Sequence, residues 1–185
     1  MGYEEGEGLT YSTPKTSTDE YGTPPSLIRK LEGSLGGRFD LDPCSGAETN
    51  RIARNVYTEA DDGLSQPWSG NVFVNPPFSE CGDWIEKAHA EVSEGDADRV
   101  VMLLPVRLAA GYFHDHVTEA GAICFLRGRL DYHNGEGVVK GVPFASYLVV
   151  FGDPSPFLGL FDRLGTVFTP TDIYERFDQP TVADF

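Results

Sequence analysis

The 185 residues fit a single layered domain with room for a substantial core, and no apolar run approaches the length of a membrane span. The formal net charge of −15 lacks the basic footprint of most nucleic-acid enzymes, and only four lysines stand beside ten arginines, a pattern expected of a salt-loving host. At about 1 M salt the Debye length falls to about 3 Å, which silences repulsion from DNA and equally the attraction that a basic surface supplies.

Residues 1–19 show no apolar periodicity and read as a flexible arm. Residues 1–30 as a whole are polar and acidic, unlike a signal peptide, so a cytoplasmic protein is expected. Residues 20–170 form the expected domain, and 171–185 a polar tail. Thr23 suits a helix cap and Pro24 a first helical position, with Leu27, Ile28, Leu31 and Leu35 on one face before Gly36-Gly37. Residues 38–43 alternate and break at Pro43, predicting a short strand that ends in Asp42. A short helix is expected over 47–54 and a weak strand over 55–58. After the turn at Pro67 to Gly70, the β-branched and aromatic run Val72-Phe73-Val74 reads as a buried strand stopped by Asn75-Pro76-Pro77.

A helix follows from about Cys81, with Trp84, Ile85, Ala88 and Val92 on one face and Gly95 at its end. Residues 99–105 are a continuous apolar run of the kind found in central parallel strands. Spacing from Ala109 to Ala120 predicts another helix, residues 122–126 a strand, 134–141 a Gly-rich mobile loop, and 145–151 a strand able to pair antiparallel with 122–126. A helical turn within 156–164 and a last strand at 166–168 complete the pattern. Alternating strands and helices imply a single-domain α/β fold, a mostly parallel Rossmann-like sheet with an antiparallel edge pair and helices on both faces. Ligands are expected at the carboxyl ends of the strands, where Asp42 and Asn75 both fall.

Asn75-Pro76-Pro77-Phe78 carries the most specific chemistry. The Asn amide oxygen and the Pro76 carbonyl are two acceptors, and Phe78 offers a flat face, which together suit a planar amino group. The three cysteines, Cys44, Cys81 and Cys124, are odd in number and lack CxxC spacing, which argues against a disulfide framework or a zinc site. No metal is expected, and His114 and His116 do not share a helical face. Arg107 and Arg129, just beyond apolar strands, are candidate phosphate contacts.

The ordered set Tyr21-Gly22-Thr23-Pro24-Pro25, Leu41-Asp42-Pro43-Cys44, Asp62-Gly63-Leu64, Asn75-Pro76-Pro77-Phe78, Leu104-Pro105, Gly128-Arg129-Leu130 and Ser146 to Phe151 resembles the phage-type DNA N6-adenine methyltransferases (Dam-like), within the S-adenosylmethionine-dependent methyltransferases. The resemblance implies a methyl transfer to a flipped adenine of a DNA substrate, with Asn75, Pro76, Pro77 and Phe78 catalytic. It implies S-adenosylmethionine contacts at Thr23, Pro24, Asp42, Cys44 and Asp62, with Asp61 an alternative to Asp62, and Glu59 a candidate for the ribose hydroxyls. Cytosine N4 transfer, protein glutamine methylation and a non-catalytic nucleic-acid-binding protein of the same fold are the alternatives. The departures are a glycine-rich loop reduced to Asp42-Pro43-Cys44-Ser45-Gly46 and only 32 residues between Asp42 and Asn75.

Overall fold

A computed structural model describes residues 21–46, 52–134 and 137–169. The expected arm and polar tail lie outside those residues. The first helix, α1 (Pro25–Leu35), buries Leu27, Ile28 and Leu31 and ends at Gly36, whose φ of 78° is the left-handed conformation glycine adopts without a Cβ penalty. Pro24 is its N-cap and Pro25 its first residue, and no side chain caps it. Thr23 is thus not the cap that its position suggests, because the proline pair starts the helix one residue later.

Strands β1 (Phe39–Asp42), β2 (Ala53–Val56), β3 (Gly70–Val74), β4 (Ala97–Pro105), β5 (Ala122–Leu126), β8 (Ser146–Gly152) and β9 (Gly165–Phe168) form one sheet in the order β2-β1-β3-β4-β8-β5-β9. A short hairpin, β6 (Tyr132–Asn134) and β7 (Gly137–Val139), stands apart from it. β1 pairs parallel with β2 and β3, and β3 with β4, whereas β8 runs antiparallel to β4 and β5, and β9 to β5. Most of the sheet therefore runs one way, with reversals on the β5 side. The central strands β4 and β8 are the most apolar in sequence and the most deeply buried; each of their fully buried Val and Leu side chains stabilises the fold by about 1.5–3 kcal/mol relative to exposure.

Helix α2 (Cys81–Ser93) crosses from β3 to the adjacent parallel β4 and packs on β4 and β8, with Cys81, Trp84, Ile85 and Ala88 inward. α3 (Gly111–Asp115) packs on α2, and α4 (Leu158–Leu164) on α1 and β5, so helices cover both faces of the sheet.

Three expectations are corrected. The helix expected over 109–120 is broken: α3 stops at His116, whose φ of −132° leaves the helical region, and a 3-10 turn (Val117–Glu119) follows. Of the helix expected over 47–54, residues 47–51 lie outside the described residues, and Ala53 and Arg54 belong to β2, drawn into the edge by pairing with Phe39 and its neighbours. The segment 134–141 read as a mobile loop contains β7, which pairs antiparallel with β6 just before it, and Tyr132 of β6 is fully buried against the aromatic cluster described below.

Candidate active site

From β1 the chain moves outward to β2 and then returns to the other side of β1 as β3. The topological switch point therefore lies between β1 and β3, where the carboxyl ends of neighbouring parallel strands open a crevice. Asp42 ends β1 and Asn75 follows β3, with Leu41 in register with Val72.

Asp42 is 4% exposed, its Oδ1 accepts the Cys44 N–H at 3.1 Å, and no described cation lies within ion-pair distance. Burial pushes its pKa from 3.8 up to about 7, a rise that the Cys44 hydrogen bond only partly offsets. The turn after β1 is tied to the chain after β2: the Tyr57 N–H donates to the Asp42 carbonyl at 2.9 Å and the Ser45 N–H to the Tyr57 carbonyl at 3.0 Å. Gly63 closes the same corner from the other side. A Cβ there would lie 1.9 Å from the Pro43 carbonyl oxygen, so only glycine permits the approach.

That approach brings Asp62 beside the end of β1. The neighbouring carboxylates have different duties. Asp61 accepts from the Thr58 N–H at 2.8 Å and the Thr58 hydroxyl at 2.7 Å, which hold its pKa below the usual carboxylate range. Asp62, in the left-handed region at φ 53°, is exposed, and its carboxylate bonds no described residue. Of the two, Asp62 is the one free to receive a ligand. Glu59 sits in the 3-10 turn directly after β2, at the same sheet edge.

At the other side of the crevice the Asn75 amide donates through Nδ2 to the Tyr21 carbonyl. A carbonyl can only accept, so this bond fixes the amide orientation and leaves Oδ1 buried without a partner. The three carbonyls that follow divide cleanly. Pro77 accepts from the Glu80 N–H at 3.0 Å and Phe78 from the Arg107 guanidinium at 2.8 Å, while Pro76 accepts from no described residue. Asn75 Oδ1 and the Pro76 carbonyl are therefore the two open acceptors of this turn. Phe78 is 4% exposed, and its ring is stacked on Tyr21 at 5.3 Å between centroids and 18° between planes, with Tyr132 and Phe144 edge-on at 6.2 and 5.1 Å. Its face is covered by Tyr21, so a planar ligand stacks on Phe78 only after Tyr21 moves.

Thr23 and Pro24 are buried at the entrance to α1, and the Thr23 hydroxyl has no hydrogen-bond partner. Cys44 is half buried. Arg107 is next to the crevice through its bond to Phe78, whereas Arg129 lies apart, in a groove between the start of α1 and the β6–β7 hairpin. Tyr132 and Phe144 were not singled out by the sequence: they lie on either side of the Gly-rich segment 134–141, and their convergence on Phe78 is tertiary. Trp68 and Trp84 stack on each other in the core at 6.0 Å. Among the described residues no cluster of three or more His, Cys, Asp or Glu could hold a metal ion, and no helix is long and apolar enough to cross a membrane.

The family model described as DNA N-6-adenine-methyltransferase (Dam) matches residues 10–152. A DNA N-6-adenine-methyltransferase of Haemophilus phage HP1 (strain HP1c1) is 29% identical over 127 residues, which span 68% of this chain and 72% of the phage protein. The matched segment contains the whole crevice, from Tyr21 through β8. The chain belongs to the DNA N-6-adenine-methyltransferase (Dam) family.

Proposed function

We propose that the protein methylates the exocyclic N6 of adenine in DNA, with S-adenosylmethionine as methyl donor. The single observation that carries this reading is the pair of open acceptors, Asn75 Oδ1 and the Pro76 carbonyl, in a turn whose other carbonyls are already bonded. A buried acceptor without a partner costs about 1–3 kcal/mol, a cost recovered when an N–H donor arrives. An adenine amine has two such N–H groups. Accepting both fixes the nitrogen in place and draws electron density toward it, which counters the delocalisation of its lone pair into the ring. Catalysis is then positioning and electrostatics, with no covalent intermediate on the enzyme.

The residues across the crevice fit the cofactor. The Asp42 carboxyl is buried without a cation, and the Thr23 hydroxyl is buried without a partner; a ligand carrying both a positive charge and a carboxylate complements the two. Asp42 would face the methionine portion, with the Cys44 turn giving backbone access, Thr23 and Pro24 at the carboxylate end, Glu59 at the ribose and Asp62 at the adenine amine. When bound, S-adenosylmethionine supplies an electrophilic methyl group on its sulfonium.

The target base must leave the duplex for its N6 to enter a crevice of this kind. Tyr21 withdraws from Phe78 and the base takes its place on that ring, while Arg107, anchored on the Phe78 carbonyl, keeps N–H donors for a nearby phosphate. Arg129 meets the strand farther out. Loss of one acceptor tests the reading: Asn75→Ala should lower kcat by 10²–10³-fold, the range seen when one preorganised polar group is removed, while calorimetry shows S-adenosylmethionine binding unchanged. A variant retaining full kcat would refute it.

A further inference from the structure

Beyond the crevice, an open groove of about 500 Å³ runs between α1 and the β6–β7 hairpin. Lys30, Arg127, Arg129 and Lys140 line it together with His133, and Asp131 is the one carboxylate among the lining residues. In a chain with 29 acidic residues and 14 basic ones, such a concentration is unusual. Of the seven described cations elsewhere, four are ion-paired: Arg38 with Glu32, Arg54 with Asp40, Lys87 with Glu91 and Arg99 with Asp153. None of the four groove cations makes an ion pair with a described residue, and all four are exposed. Four cations against one carboxylate in this groove reverse the balance of the chain as a whole.

The groove is also continuous with the aromatic slot. Gly22 and His133 exchange two backbone hydrogen bonds, at 2.6 and 2.9 Å. On one side of this bridge Tyr21 and Tyr132 pack around Phe78; on the other, His133 faces the groove. One residue step, from Tyr132 to His133, leads from the slot to the groove, and on the other chain Pro24, three residues after Tyr21, also lines it.

We propose that this groove is a track for the phosphodiester backbone of the DNA strand whose base enters the slot, an inference that rests on the adenine-methylation reading above. The bare acidity of the chain is then no obstacle to binding. DNA is repelled by most of the surface and received by one groove, whose guanidinium and ammonium groups make charge-assisted phosphate contacts that weaken as salt rises.

The test uses the full chain and a fluorescein-labelled 30-bp duplex, with anisotropy read across a NaCl series and methyl transfer to unmethylated plasmid DNA read in parallel. Each phosphate contact contributes about 0.9 to the slope of log K against log salt, so Arg127→Gln/Arg129→Gln and Lys30→Gln/Lys140→Gln should each flatten it by about 1.8. Both should raise KM for DNA by tenfold or more with KM for S-adenosylmethionine unchanged. Arg127→Lys/Arg129→Lys keeps the charge and should keep the slope. The control Arg38→Gln/Arg54→Gln removes two ion-paired cations that do not line the groove and should change neither quantity. Groove variants with wild-type slope and KM, or a control that loses as much as they do, would overturn the proposal while leaving the methylation reading intact. Wild-type protein that binds the duplex through these residues yet transfers no methyl would support the groove and sink the enzymatic reading.

Discussion

Asp42→Asn should stabilise the cofactor-free fold at pH 8 and at the same time remove cofactor binding. The magnitude follows from the position of the carboxyl. Below its ordinary value of 3.8 it is protonated in folded and unfolded chains alike and its burial carries no ionisation penalty. Between 3.8 and about 7 the unfolded chain loses the proton while the folded chain keeps it, so stability falls as pH rises; above about 7 the loss is complete. A rise of this size corresponds to about 4 kcal/mol. Asparagine preserves the acceptor for the Cys44 N–H and carries no charge, but its own buried N–H groups cost about 1–3 kcal/mol when unpaired. The variant should therefore be about 1–3 kcal/mol more stable than wild type at pH 8, and no more stable at pH 4. Urea unfolding of both proteins at pH 4, 6 and 8 measures the difference. Asp61 and Asp153, held low by their Thr58 and Ser155 partners, titrate identically in both proteins and cancel. S-adenosylmethionine should raise Tm for wild type and leave the variant unmoved. A difference in stability that does not change with pH would refute the assignment of a desolvated carboxyl at the end of β1, and a variant that binds cofactor as wild type does would refute its role.

The same proton should govern the cofactor itself: KM for S-adenosylmethionine should rise about tenfold per pH unit below about 7 and be flat above it, as a steady-state pH profile will show. Gly63→Ala forces a Cβ into the Pro43 carbonyl and should destabilise the fold by more than about 2 kcal/mol in urea unfolding, raising KM for cofactor before KM for DNA. Tyr21→Ala removes the ring that covers Phe78, a stacking contact of about 0.5–1.5 kcal/mol, so KM for DNA should fall about two- to tenfold; a rise would mean that Tyr21 holds the base instead of blocking it. Phe78→Ala opens a hole among Tyr21, Tyr132 and Phe144 and should cost about 3–5 kcal/mol by denaturant melt.

Much of this architecture could be read from the chain because its strands are punctuated chemically. Pro43 and Pro105 lie at or next to a strand end and Pro76 two residues beyond one, and the apolar runs before the last two have no competing helical period. The helix over 109–120 was misread because Ala, Tyr, Phe and Val recur at the right spacing while nothing in the sequence announces the break at His116. The β6–β7 hairpin was missed for the opposite reason: three-residue strands in glycine-rich sequence have no periodicity to detect, and Tyr132 is held by distant rings and by its hydroxyl's 2.8 Å bond to Ser146. At the site, the motif residues could be named, but their availability could not. That Asp61 is spent on Thr58 while Asp62 is free, that Pro76 has an open carbonyl and Pro77 does not, and that Tyr21 lies on Phe78 are all properties of tertiary hydrogen bonding and packing. The groove cations are dispersed over α1, the turn after β5 and the end of the hairpin, and no linear pattern joins them.

The decisive measurement is the chemical identity of the methylated product. Unmethylated DNA incubated at high salt with wild-type protein and methyl-labelled S-adenosylmethionine, then digested to nucleosides, should carry the label in N6-methyladenine and lose it with Asn75→Ala. Label in N4-methylcytosine, or in protein with none in DNA, would contradict the assignment of adenine N6 to the acceptors of Asn75 and Pro76.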